Sequence, residues 1–396
     1  MARRLYLDWN ATAPLLPEAR AALIDALAFP SNPSSVHDEG RQARRVVEGS
    51  RQQIADLTGV PRSHVVFTAS ASEAANFVLT PDFRMGRTPM RLGKLLVSAV
   101  EHPCVLAGGR FDAGQVVQLP VDSQGLLDCD ALERELREIG ASETIMVAVQ
   151  LANNETGVVQ PIAKIASIVK RHGGVLVVDA VQAAGRLPIA CETSGADFLI
   201  LSGHKIGGVT GAGALVASGE TLMPAPLVRG GGQERGHRAG TEAVAAIAAF
   251  GAAARTVGPG VETFQAQVGA LRDRMEQAMR QCVPALIIHG EGAPRLANTS
   301  CVSVPGMKAE TLQIALDLDG IAVSAGSACS SGRLGPSHVL LAMGADAALG
   351  AIRISLGAST SEADIDRFVA SFARITANRS AHSVSAQAEK GHFIAA

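Results

Sequence analysis

Between residues 65 and 205 the chain keeps repeating one unit: a short apolar run, a cluster of polar residues, then a helical pattern. The runs are VVFT (65–68), KLLVSAV (94–100), TIMVAVQLA (144–152), GVLVVDA (174–180) and ADFLILSGHK (196–205). Their residues are apolar on both faces. A strand needs that only when both sides of its sheet are covered. Helical stretches lie between them, at 127–140 and 161–173 for example, the second with proline in its first turn and glycine just past its end. This alternation predicts βαβ units around a buried, mostly parallel sheet.

The flanks fit one further division. Residues 18–28 and 38–58 read as helices, separated by a loop holding Pro30, Pro33 and SNPSSVH. After RGGGQERGHRAGTEA an alanine-rich helix begins near Thr241. From about residue 260 the texture changes to a helix (261–279), short strands (285–290, 298–304, 321–326) and two more helices. A chain of 396 residues is too long for one small core. The expected division is a large α/β domain at 15–255, a smaller α+β domain from 1–14 and 256–380, and a polar tail at 381–396 that frays. Aromatic residues are only 3% of the chain, so small and branched aliphatic side chains must fill the core.

Charge and cysteines exclude several classes. A net charge of -2 gives no footprint for nucleic acid or an anionic membrane. No run reaches the ~18 consecutive apolar residues of a membrane span. The opening MARRLYLDWN lacks the apolar stretch of a secretory signal. The six cysteines (104, 129, 191, 282, 301, 329) form no CxxC pair and match no tetrahedral ligand set. They read as free thiols, mostly small core residues, of a cytoplasmic protein. Neither G-x-G-x-x-G after the first strand nor G-x-x-x-x-G-K-[ST] is present, which argues against a nucleotide-binding enzyme.

In an open α/β sheet, ligands bind beyond the carboxyl ends of the strands. The polar residues of this chain gather there: Ser70, Ser72 and Glu73; Glu101 and His102; Asn153, Asn154 and Glu155; Asp179 and Gln182; Ser202, His204 and Lys205. Lys205 offers an amine for a Schiff base, and Asp179 a carboxylate to keep a pyridine nitrogen protonated. The helix opening at Ala71 and Ser72 offers backbone N–H groups to a phosphate, with side-chain donors from Ser72, Ser202 and His204. These are the needs of pyridoxal phosphate. His102 is placed to stack on its ring and relay protons. Plainer readings stand beside these: Lys205 as a solvated lysine, Asp179 as a strand-end cap, His102 as a cap or core histidine. Cys329, in VSAGSACSSGRLGPSHVL, is either a small buried residue or an exposed thiol able to attack sulfur. Arg353, in GAIRISLG, is either a structural ion pair or a clamp for a substrate carboxylate.

From YLDWNATAP at residue 6 to about residue 375 the sequence resembles the cysteine desulfurases of the class V aminotransferase family, NifS/IscS-like group. The matching motifs include NPSSVH, VVFTASASEAAN, EHPCVL, NNETGVVQPI, VDAVQAAGRLPI, SGHKIGG, GGGQERGHRAGT and IRISLG. The resemblance implies an α/β pyridoxal-phosphate-dependent transferase fold of type I. It implies that Lys205 carries the cofactor, Asp179 pairs with the pyridine nitrogen, Gln182 faces the ring oxygen and His102 stacks. Ala71, Ser72, Ser202 and His204 would hold the phosphate, with Thr241 reaching it from the partner subunit of a homodimer. Asn154 and Arg353 would orient L-cysteine, assisted by Asn32. Cys329 would take the sulfur as a persulfide and pass it to an iron–sulfur scaffold or another acceptor, as a transient iron–sulfur ligand at most. The chain departs from the family pattern at Ser72, where threonine is usual, at Val209 and Thr210, where a surface positive charge is lost, and in a C-terminus shorter than in longer relatives, which puts the docking of a scaffold in doubt. An aminotransferase, or a selenocysteine or cystathionine-type lyase, would use the same cofactor without Cys329.

Overall fold

The computed structural model describes residues 4–30, 32–140, 143–325, 336–346 and 349–392. Its centre is a seven-stranded sheet: β1 (Val65–Thr68), β2 (Lys94–Ser98), β3 (Val116–Leu119), β4 (Ile145–Gln150), β5 (Val175–Asp179), β6 (Phe198–Ser202) and β7 (Gly213–Ala217). The order across the sheet is β1-β7-β6-β5-β4-β2-β3. Only β7 runs against its neighbours, so the other six strands deliver their carboxyl ends to one edge. The five strands expected from sequence are all present. The edge strand β3 and the reversed β7 are additional.

Burial follows the sequence. Strands β4 and β6 are buried at every position and β5 at all but its last, Asp179. Helices cover both faces. One core joins Leu176, Val178, Leu199 and Leu201 to Ile54, Ile165, Val169 and Phe250, and another joins Val177, Phe198 and Ile200 to Phe77 and Val105. The Asp38–Thr58 helix has acidic residues in its first turn and Gly59 at φ 68° after its end. Those features match the positive helix N-terminus and the left-handed C-terminal cap.

A separate four-stranded antiparallel sheet runs Ile287–Ile288, Thr299–Ser303, Ile352–Ser355, Ser324–Ala325. Its core gathers Leu5 and Leu7 with Met275, Ile354, Phe368 and Phe372. The N-terminal segment reaches it directly: Leu5 and Tyr6 pair with Ile321 and Ala322, and Asp8 bridges to Ser355. A small antiparallel sheet (Asp82–Met85, Thr88–Arg91, Leu222–Pro224) had no signal beyond the Gly86–Arg87 turn.

Two expectations change. The polar tail was expected to fray from about residue 380, yet the helix Glu362–His392 continues through it. The alanine-rich helix starts at Val244 rather than Thr241, with Ala243 as its non-helical N-cap at φ -76° and ψ 71°. The stretch Val244–Cys282 has the mean hydropathy, 1.4, and length of a membrane crossing. It is broken by a 3-10 turn at Gly258–Gly260, and 56% of its most apolar window is buried inside the fold, as a core helix would be.

Candidate active site

The carboxyl edge of the sheet holds a cavity of about 360 Å³. That is the scale of a small-ligand site. Ser70, Ala71 and Ser72 line it from beyond β1, and His102 and Cys104 from beyond β2. Gln150, Ala152 and Asn154 come from β4 and its end, Asp179, Val181 and Gln182 from β5, and Ser202, His204 and Lys205 from β6. Five strand ends therefore meet at one place, as the topology requires.

Asp179 is central because β5 lies between β4 and β6, opposite Gln150 and Ile200. Its Oδ1 accepts the Val181 N–H at 2.9 Å, so the cap reading is also true. Burial pushes its carboxyl up to about 6, against the lowering influence of that N–H and of Lys205. Lys205 closes a short 3-10 turn after β6. Its Nζ donates to the carbonyls of Asn10 and Ala11, both at 2.7 Å. Asn10 is itself fixed: Ser355 Oγ accepts its N–H, and its side chain bonds Thr299 and Asn298.

His102 caps a short helix, accepting the Cys104 N–H on Nδ1 at 3.2 Å. The proton of the neutral ring therefore belongs on Nε2. Burial, then Lys205 and His338, hold His102 down at about 4, and burial with Lys205 does the same to His204. Behind them Glu101 is fully buried. Desolvation keeps it well above the usual carboxylate range, and its Oε1 accepts the Gln150 N–H at 2.7 Å. Cys104 lies 3.0 Å from His102 Nδ1, and burial pushes its thiol up to about 12, away from the thiolate form that attacks.

The Ala71–Val78 helix points its first N–H groups at this cavity, with Ser70 capping Glu73. The first N–H groups of a helix have no acceptor within it. Gly213 permits this placement, since a Cβ there would lie 2.5 Å from the Ser70 carbonyl carbon.

Three expected residues stand elsewhere. Arg353, only 2% exposed, donates to Asp8 Oδ1 at 2.7 Å, Ser324 Oγ at 3.0 Å and the Asn154 carbonyl at 2.9 Å. That is the ion-pair arrangement, one residue removed from the cavity wall. Thr241 is exposed and borders a different hollow with Glu234 and Arg238. Asn32 is exposed, and its side chain accepts from the Ser34 N–H. Cys329 lies outside the described residues. Of the other cysteines, 129, 191 and 301 are buried as expected, and Cys282 is exposed. Asn10, Ala11, Cys104 and Gln150 were not singled out from sequence, although YLDWNATAP contains the first two.

Residues 5–368 match the family model for class-V aminotransferases. The chain belongs to that family. A cysteine desulfurase of Nostoc sp. is 40% identical over 372 residues, covering 92% of this chain and 91% of the relative. The solved structure of a NifS-like protein from Rickettsia africae superposes with a TM-score of 0.84 at 32% identity, covering 94% of this chain and 99% of that one. A structure described as SspA in complex with cysteine matches with a TM-score of 0.71 at 28% identity, over 89% and 98% of the two chains. Pyridoxal phosphate is the cofactor of the class-V family. The cavity fits it: an amine at Lys205, an open carboxylate at Asp179 and a helix N-terminus that Gly213 lets approach.

Proposed function

We propose that this enzyme is a cysteine desulfurase, converting L-cysteine to L-alanine and leaving the sulfur on Cys329. The observation that carries the reading is the convergence of Lys205, Asp179 and the Ala71–Ser72 helix start on one cavity. The names of its relatives supply the substrate. Bound pyridoxal phosphate would be held through Lys205, Asp179, Gln182, Ala71, Ser72, Ser202 and His204, and would supply an electron sink for bonds at the substrate's α-carbon.

The chain's own groups do the rest. Lys205 takes the α-proton and returns it. The Asn10 and Ala11 carbonyls hold its Nζ and favour the charged form once the proton has moved. His102 stays neutral and donates from Nε2. Arg353 takes the substrate carboxylate by releasing Asp8, beside Asn154. Asn32 assists in orienting the substrate. The Cys329 thiolate attacks the substrate sulfur, forming an S–S bond as the carbon–sulfur bond breaks, and a proton at the freed carbon completes alanine.

The further assignments are of the same kind. Residues 15–255 form the cofactor domain, and 1–14 with 256–380 form the smaller one. Two separate sets of buried residues support that division. Exposed Thr241, away from its own chain's cavity, suits a homodimer in which it serves the partner's phosphate. A cytoplasmic setting suits the free thiols, and an iron–sulfur scaffold or another sulfur acceptor takes the persulfide, with no direct role for nucleic acid or membrane. The test is a visible spectrum of the purified protein, then cysteine addition with alanine and sulfide assayed. Cys329→Ala should keep the cofactor band and lose sulfide release. Ammonia and a keto acid as products would overturn the reading in favour of an aminotransferase.

A further inference from the structure

Arg186 is a buried guanidinium with no carboxylate within ion-pairing distance among the described residues. All its acceptors are neutral. Nη1 donates to the side-chain oxygen of Gln182 and, at 3.1 Å, to the Gln182 carbonyl; Nη2 donates to the Trp9 carbonyl at 3.3 Å. The long Val261–Cys282 helix closes over it, with Gln265 Nε2 donating to the Arg186 carbonyl at 2.9 Å. Burial, together with the neighbouring Arg353, pulls Arg186 down to about 9, which leaves it charged at neutral pH. A hydrocarbon side chain would cost less to bury than an uncompensated cation. What a guanidinium alone supplies here is a set of donors with no acceptor among them.

That property acts on Gln182, which lines the cavity. A primary amide has one accepting and one donating end, and nothing intrinsic decides which of them faces a ligand. Here the oxygen is held by Arg186, and one N–H goes to the Asn10 carbonyl at 3.1 Å. Reversing the amide would set its NH2 against a guanidinium and its oxygen against a carbonyl. Only the remaining N–H is left for the cavity. We propose that Arg186 is a positioning residue that locks Gln182 as a hydrogen-bond donor and backs it with positive charge, so that the cavity selects a ligand carrying an anionic ring oxygen.

The inference rests on the cofactor assignment made above, and two ligands separate them. Apoenzyme would be titrated with pyridoxal phosphate and with an analogue whose ring hydroxyl is replaced by hydrogen. Wild type should prefer pyridoxal phosphate. Arg186→Met should lose about tenfold in affinity for it, the worth of one good hydrogen bond, and less than twofold for the analogue. In a Gln182→Leu background the same change should add no further loss, because both act through one contact. Circular dichroism checks folding. Should the methionine variant not fold, Arg186→Lys keeps the buried charge with fewer donors and must show the same selective loss, smaller in size. Equal loss for both ligands, or no loss for pyridoxal phosphate, would overturn the role of Arg186. If wild type binds neither ligand, the cofactor assignment fails instead.

Discussion

Asp179 and Asp8 each stand near a basic side chain, but only one of them has closed on it. Asp8 accepts from Arg353 at 2.7 Å and from Ser324 at 2.9 Å. Asp179 accepts one backbone N–H and otherwise faces the cavity, while Lys205 turns to two main-chain carbonyls. The open carboxylate is raised by burial to about 6. A buried carboxylate left short of partners is costly, and such groups gather where a ligand completes them. The cofactor side of the site is therefore unfinished without its ligand. The Arg353–Asp8 pair is already satisfied, and under the proposed role it would have to exchange one anion for another.

The largest effect that would sharpen this contrast is at Lys205. Lys205→Ala should cut sulfide formation on the order of 10³-fold or more and remove the visible band of the lysine-linked cofactor. An unchanged spectrum would contradict the assignment.

Asp179→Asn comes next, and its two consequences oppose each other. Burial raises the carboxyl from 3.8 to about 6, so the cofactor-free fold holds this proton more tightly than the unfolded chain does. The resulting stability is present below 3.8 and is lost as pH rises through about 6. At pH 7 the cofactor-free Asn variant should therefore be more stable than wild type, on the order of 1–3 kcal/mol, and the gap should close by pH 4. Turnover of the same variant should fall about 10²-fold. Urea melts at the two pH values test the first part, and an equal gap at both would break the comparison.

His102→Gln should cost tenfold or somewhat more in turnover, at the lower end of acid–base contributions. In cofactor-free protein the His102 ring should titrate near 4 by NMR. A midpoint above 6 would mean the ring is more open than the structure has it.

The smallest effects test the closed pair. Arg353→Lys should raise KM for cysteine about tenfold, since lysine lacks the planar fork. Asp8→Asn should lower KM a few-fold, because Arg353 would no longer leave an anion. A raised KM would instead make Asp8 the residue that aims Arg353.

Much of this could be read from sequence for a topological reason. Parallel strands put all their carboxyl ends on one edge, so Lys205, Asp179, His102, Asn154 and Ser202 had to meet whatever the details of packing. Arg353 belongs to a different sheet, and its side chain had two acceptable partners; sequence left both open, and the structure places it on Asp8. The Asn10 and Ala11 contacts use backbone carbonyls, which every residue has, so no residue type announces them. Thr241 and Asn32 lie off the cavity, and nothing in their local sequence pattern announces that. The tail helix beyond residue 380 had too weak an apolar period to be distinguished from a frayed end.

Gly213 sits on β7, the one reversed strand, and touches no ligand-facing side chain of its own. Yet its missing Cβ would lie 2.5 Å from the carbonyl carbon of Ser70 and 2.8 Å from the amide nitrogen of Ala71, atoms of the main chain that have nowhere to rotate. A single methyl group at this position would force the Ser70–Ala71 main chain to shift. The room at the start of the Ala71–Val78 helix is thus set by an atom that is not there.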